Sequence, residues 1–308
     1  MARGWYVTAG DGKKVFYYRW NPPEGDPKAA VQIVHGMAEH AARYDDAALR
    51  LTKAGYIVYA QDLRGHGKTA EDQEELGFIA QENGWERMVE DIREIGEKIR
   101  AEQPDIPLFL IGHSMGSFLS RTMMFRHPGL YRGVVLSGTG GNPGVMGRLG
   151  RRLALRNAAK HGLKHRDRQL DSLSFGSFNR QFKPSRTSFD WLSRDDEEVD
   201  LYVDDPLCGF ICTSAFFRDL LDGLILIHNP ANITKIPRDL PVLLISGTRD
   251  PVGKNGKAVE ALWSRYREQG AADVTLKLWE GARHELFHET NRNEVSAFLA
   301  SWLDDRLG

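Results

Sequence analysis

Short, continuous apolar runs alternate with stretches of helical periodicity along most of this chain, and that alternation restricts the fold more than any other feature. Ala30-Val31-Gln32-Ile33-Val34, Tyr56-Ile57-Val58-Tyr59-Ala60, Leu108-Phe109-Leu110-Ile111 and Gly133-Val134-Val135-Leu136 have the length and character of strands buried on both faces. Lys14–Trp20 reads as an earlier strand, rich in aromatic residues. Asp45–Ala54 reads as a helix, and Trp85, Met88, Val89, Ile92, Ile95 and Ile99 recur at the spacing of one helical face. The pattern predicts an α/β fold, a mostly parallel sheet with helices on both sides. After Gly140 the alternation stops. It resumes with the strand Pro241–Ser246, a helix at Lys257–Glu268, the strand Val274–Leu278 and a closing helix whose apolar stripe is Val295, Phe298, Leu299, Trp302 and Leu303. The expected organisation is one core, residues 1–140 and 238–308, interrupted by a mainly helical lid at 141–237.

The charge balance narrows the partners. Lysine and arginine number 41 against 42 acidic residues, so no surplus draws the chain to nucleic acid. No apolar stretch has the length of a membrane span, and Met1-Ala2-Arg3-Gly4-Trp5 does not open a secretory leader, so a cytoplasmic location is expected. Cys208 and Cys212 would share a helical face, but two thiols do not complete a structural zinc site; they are expected to be reduced packing residues.

Chemistry concentrates at strand ends. Gly112-His113-Ser114-Met115-Gly116 matches G-x-S-x-G and lies between an apolar strand and a helix-like segment, Ser117–Met124. In that setting the serine is held on a sharp turn with its hydroxyl clear of the sheet, and a Cβ at either flanking position would collide. A serine nucleophile needs a base, and the base needs an orienting acid. His284 follows the strand Val274–Leu278 and Asp250 follows Val242–Ser246, giving the chain order serine, acid, histidine. The expected catalytic residues are therefore Ser114, Asp250 and His284. The backbone N–H groups of Met115 and of Met37, in His35-Gly36-Met37 after the strand Val31–Val34, are expected to form the oxyanion hole. The same triad serves a peptidase or amide hydrolase.

A competing motif shares one residue. His284-Glu285-Leu286-Phe287-His288 spells H-E-x-x-H, which on a helix would bind Zn²⁺ with Glu285 as base and Glu294 as a further ligand. Gly281, at a strand exit just before His284, argues against a helix there, and the metalloprotease reading leaves Ser114 and Asp250 without a task. No metal is therefore assigned.

Several stretches together resemble the monoacylglycerol lipase/lysophospholipase branch of the α/β-hydrolases: His35-Gly36-Met37-Ala38-Glu39-His40 with Arg43-Tyr44, then Asp62-Leu63-Arg64-Gly65-His66-Gly67, Gly112–Gly116, Asp250 and Gly281–Glu285. The likeness spans both halves of the core but not the lid. It departs at Lys68, where the branch carries a small hydroxyl residue. It implies the α/β-hydrolase fold and a cofactor-free hydrolase of monoacylglycerols, lysophospholipids or related acyl esters. His40, His66 and His113 are expected to be packed, hydrogen-bonded imidazoles.

Two lid features bear on substrate. Phe175, Phe178, Phe182, Phe189, Trp191, Phe210, Phe216, Phe217, Leu220, Leu221 and Leu224 are expected mostly to form the core of the inserted helices, with an acyl-chain tunnel as the alternative role. Arg148, Arg152, Arg156, Lys160 and Lys164 recur every four residues. If helical, they form either a solvated face opposite Asp195-Asp196-Glu197-Glu198 or a basic stripe for transient contact with anionic lipid.

Overall fold

The apolar runs become strands with no exposed residue, as expected of inner strands covered by helices on both sides. The computed structural model describes residues 2–307. In chain order the sheet strands are β1 (Arg3–Thr8), β2 (Lys14–Trp20), β3 (Ala29–Val34), β4 (Tyr56–Gln61), β5 (Leu108–His113), β6 (Gly133–Ser137), β7 (Val242–Gly247) and β8 (Val274–Trp279). They form one eight-stranded sheet in the order β1-β2-β4-β3-β5-β6-β7-β8. Strands β1, β2 and β4 pair antiparallel, and every pairing from β4 through β8 is parallel.

The core helices are α1 (Asp45–Lys53), α2 (Gly84–Glu102), α3 (Met115–Arg126), α9 (Lys257–Glu268) and α10 (Arg292–Asp304). Side chains alternate across β5, sending Leu108 and Leu110 to the face covered by α2, α3 and α9, and Phe109 and Ile111 to the face covered by α1 and α10. Between β6 and β7 the chain forms α4 (Gly144–His161), α5 (Arg168–Phe175), α6 (Asp196–Asp204), α7 (Ser214–Ile227) and the single turn α8 (Pro230–Ile233). Helix α7 seats Phe216, Phe217 and Leu220 in the same apolar cluster as α2 and α3.

Connectivity decides where a ligand can sit. β3 pairs with β4 on one side and β5 on the other, so the chain reverses direction across the sheet between them. The loops leaving the carboxyl ends of β3 and β5 therefore diverge and open a crevice. His35–Gly36 follows the first strand, and Ser114 follows the second.

One local expectation is corrected. Cys208 and Cys212 are buried and unpaired in the loop between α6 and α7, not on a helix. Pro206 disfavours the helical conformation at Asp205, and Gly209 takes a left-handed φ of 66°. Among the described residues no helix is long and apolar enough to cross a membrane.

Candidate active site

Ser114 sits between the last residue of β5 and the first of α3 with φ 50° and ψ −118°, a conformation that bulky L-residues avoid. The flanking glycines make so tight a turn possible. A Cβ on Gly112 would strike the Gly116 carbonyl, and one on Gly116 would strike that of Val34. The turn aims the amino end of α3, and its partial positive charge, at the serine.

Two later strands carry the other two triad candidates to the same edge. Asp250 is fully buried after β7, and its Oδ1 lies 3.0 Å from His284 Nδ1. The Val252 amide also donates to Oδ1, at 2.9 Å, and the Ser246 hydroxyl donates to Oδ2, at 3.3 Å, so the carboxylate is oriented from both sides. Burial penalises a charged His284, but the Asp250 carboxylate, helped by Glu285 and Glu39, outweighs it and raises the imidazole pKa above its ordinary value. Ser114 and His284 line one cavity of about 300 Å³ together with Met37. No hydrogen bond joins Ser114 Oγ to His284 among the described residues, a looseness common in such pairs before substrate binds.

The loop after β3 lies against the serine. A Cβ on Gly36 would stand 3.1 Å from Ser114 Cβ. Neither the Met37 nor the Met115 amide donates a hydrogen bond among the described residues, which leaves both free for a ligand oxygen. Three neutral imidazoles surround this loop. His35 Nε2 accepts from Leu63 N–H at 2.9 Å, and His66 Nε2 accepts from Ala38 N–H at 3.2 Å. Burial pushes His35 and His113 well below the usual range and His66 down to about 4. His35, His66 and His40 are packed, hydrogen-bonded rings, His40 through Asp205 at 2.8 Å; His113 is packed as well, but its buried Nδ1 has no hydrogen-bond partner among the described residues.

An ionic clamp, not foreseen from any single motif, lies behind the site. Glu39 Oε1 accepts the Gly36 amide at 2.6 Å and the Tyr44 hydroxyl at 3.0 Å, which fixes the turn next to Ser114. Arg43 then donates to Glu39 at 2.7 Å and, through both terminal nitrogens, to Glu285 at 2.7 Å each. The clamp ties the β3 loop to the residue after His284. Burial alone would raise the Glu285 pKa; the Arg43 guanidinium overrides it and holds the carboxyl far below its usual range. We expect Arg43→Gln to cost about 3–5 kcal/mol by stranding two buried carboxylates. Because Glu285 takes up a proton readily once Arg43 is gone, the loss should be greatest at neutral pH and shrink in acid. Thermal melts of both proteins from pH 5 to 8 check this, and equal melting temperatures at pH 7.5 would refute it.

The same contacts dispose of the zinc motif. Residues Leu286–His288 form one 3-10 turn that begins after His284, so His284 and His288 do not share a helical face. His284 is committed to Asp250, Glu285 to Arg43, and His288 to Glu198 at 3.1 Å.

The aromatic residues of 141–237 divide between two roles. Phe175, Phe189, Trp191 and Phe210 line the cavity, while Phe216, Phe217 and Leu220 belong to the main core. Trp191 packs against His284 with ring centroids 5.1 Å apart. The five basic residues Arg148, Arg152, Arg156, Lys160 and Lys164 are all exposed. The acidic run does not face them: Asp195 pairs with Arg292, and Asp196 lies beside Arg186.

A parallel sheet reversing at β3, with a strained serine on the turn after β5 and a histidine–carboxylate pair at the ends of later strands, defines the α/β-hydrolase class. Residues 25–291 match the family described as serine aminopeptidase, S33. The chain is 30% identical to the monoglyceride lipase of Mus musculus over 98% of its own length and 90% of that protein's. It is 31% identical to the monoacylglycerol lipase of Mycolicibacterium smegmatis over 96% and 95% of the two chains. A thermostable carboxyl esterase from Bacillus coagulans, solved in complex with glycerol, superposes with a TM-score of 0.89 at 28% identity, covering 100% and 99% of the two chains. The chain belongs to this family, within its monoacylglycerol lipase-like group of ester hydrolases.

Proposed function

We propose that Ser114, His284 and Asp250 form a catalytic triad that hydrolyses the ester of a monoacylglycerol, or of a lysophospholipid or related single-chain ester, through an acyl-enzyme. The observation that carries this reading is the buried His284–Asp250 pair opening onto the same apolar cavity as Ser114. The names of the relatives support the acylglycerol substrate.

In the mechanism, Ser114 Oγ attacks the ester carbonyl carbon while its proton passes to His284 Nε2. Asp250 holds the Nδ1–H tautomer and stabilises the imidazolium. The Met37 and Met115 amides receive the developing oxyanion, and losing one such donor costs a factor of about 100–1,000. Collapse breaks the carbonyl–alkoxide bond, His284 protonates the leaving alkoxide, and the small polar head departs. Water, deprotonated by His284, then releases the fatty acid and restores Ser114.

Residues 141–237 act as a lid that supplies the apolar wall of the cavity, where the acyl chain lies. Its α4 helix touches lipid surfaces transiently. Val145, Met146 and Leu149 are 66%, 72% and 48% exposed beside Arg148 and Arg152. Apolar side chains next to cations suit an anionic membrane surface, at about 1 kcal/mol per basic residue. We expect Arg152→Glu with Arg156→Glu to weaken binding to phosphatidylserine-containing vesicles in sedimentation; unchanged binding would remove the claim. We place the enzyme in the cytoplasm, a compartment that keeps thiols such as Cys208 and Cys212 reduced.

A panel of glycerol monoesters and p-nitrophenyl esters of graded chain length, run beside amino-acid amides, tests the substrate class. Esters should be cleaved, with a preference for an acyl chain over acetate, and amides left intact. Faster turnover of the amides would favour the peptidase reading instead.

A further inference from the structure

Beside the catalytic cavity, three side chains of different chemistry converge without any role in the hydrolysis. His40 follows the loop that carries Met37, and Asp205 and Cys208 lie in the turn after α6. The ligating atoms of His40, Asp205 and Cys208 all lie within 4.8 Å of one another, and His40 Nε2 stands 2.8 Å from Asp205 Oδ2. A nitrogen, an oxygen and a sulfur at such separations are within a small movement of the edges of a tetrahedron built on metal–ligand bonds of about 2.0–2.3 Å.

We propose that His40, Asp205 and Cys208 bind Zn²⁺, with water as the fourth ligand, and that the ion tethers the turn after α6 to the loop bearing Met37.

Three further observations support the assignment. Asp205 is already oriented: its Oδ1 accepts the Leu207 amide at 2.8 Å, which leaves Oδ2 turned to His40. Such an outer partner is what positions a ligating carboxylate. The surroundings favour a cation, because Asp205, Glu39 and Glu285 all act on the Cys208 thiol while Arg43 is the one guanidinium among them. The side chains also differ in access: that of Asp205 keeps 29% of its exposure and that of His40 10%, so an ion enters from the Asp205 side. Binding replaces the thiol proton, which is released to solvent, and breaks the direct His40–Asp205 hydrogen bond.

The consequence for turnover rests on the function proposed above. Gly209 and Phe210, the residues after Cys208, line the cavity, and the Gly209 amide donates to the Ala38 carbonyl at 2.9 Å. A metal bridge would lock that wall to the Met37 loop and hinder the movement that admits or releases an acyl chain.

Cobalt reports the site without relying on activity. Titration of the full-length protein with Co²⁺ should develop a thiolate-to-cobalt absorption band in the near ultraviolet that saturates at one ion per chain and is displaced by Zn²⁺. Cys212→Ser should retain it, Cys208→Ser should lose it, and His40→Asn should require at least about tenfold more cobalt. Circular dichroism identifies any variant that fails to fold. In parallel, Zn²⁺ should slow ester turnover by wild type and Cys212→Ser, while Cys208→Ser should keep its metal-free rate and need at least about tenfold more Zn²⁺ for the same inhibition. An unchanged band in Cys208→Ser, or a saturated site with undiminished turnover, would overturn the proposal. Inactivity of the metal-free protein would instead count against the triad, because the absorption band does not depend on it.

Discussion

Ser114→Ala should give a folded protein whose ester turnover is slower by about a million-fold, the scale reached when the nucleophile of a serine triad is removed. The fold should survive because the Ser114 hydroxyl makes no hydrogen bond among the described residues and alanine meets the same φ of 50° as serine does. The turn itself is held elsewhere, by the Ser114 amide bonded to the Ser137 carbonyl at 2.9 Å and by the space that Gly112 and Gly116 leave open. Residual hydrolysis above the uncatalysed rate should remain, supplied by substrate positioning and the two backbone donors. Steady-state kinetics with an acyl ester, alongside circular dichroism of both proteins, measures this. Wild-type-like turnover in the variant would remove Ser114 from the chemistry.

Asp250→Asn should lower turnover by about ten-thousand-fold, because an amide that donates to His284 selects the wrong tautomer for accepting the serine proton. The pH profile separates this role from simple support of the fold. In the wild type, burial opposes the His284 imidazolium and Asp250, together with Glu285 and Glu39, more than compensates, so the base deprotonates above the usual histidine range. Only neutral His284 accepts a proton, so kcat/KM should rise with pH through that elevated pKa. Removing the carboxylate takes away the main opposition to desolvation and leaves only the weaker pull of Glu285 and Glu39, so the acid limb of the residual activity should move to lower pH. A limb that stays in place would mean that Asp250 does not set the ionisation of His284.

Much of this architecture was readable in the sequence for a physical reason. Strands β3 through β7 are buried on both faces, so their side chains are continuously apolar and stand out from the helices between them. Ser114 and Asp250 were readable as candidates because each follows such a strand, and His284 because it follows the partly buried β8. β1 was not: most of its residues are exposed, and what makes it a strand is its register with β2, Val7 against Val15. The Arg43–Glu285 clamp was equally hidden, since its partners lie 242 positions apart and each, read alone, passes for a surface charge. The helix expected through Cys208 and Cys212 fails because two residues at four-residue spacing are weak evidence against Pro206 just before them and Gly209 between them. The H-E-x-x-H pattern misleads for the converse reason. Its spacing carries meaning only on a helix, and Gly281, with φ 70°, turns the chain just before His284.

The most direct test of the proposed triad is to trap the acyl-enzyme mimic and locate it. The protein would be treated with an alkyl fluorophosphonate, digested, and analysed by peptide mass spectrometry, with Asp250→Asn and Ser114→Ala treated in parallel. One adduct per chain is expected, on the peptide containing Ser114, forming far more slowly in Asp250→Asn and absent from Ser114→Ala. A stoichiometric adduct on another residue, or an active enzyme that takes up no label, would contradict the assignment.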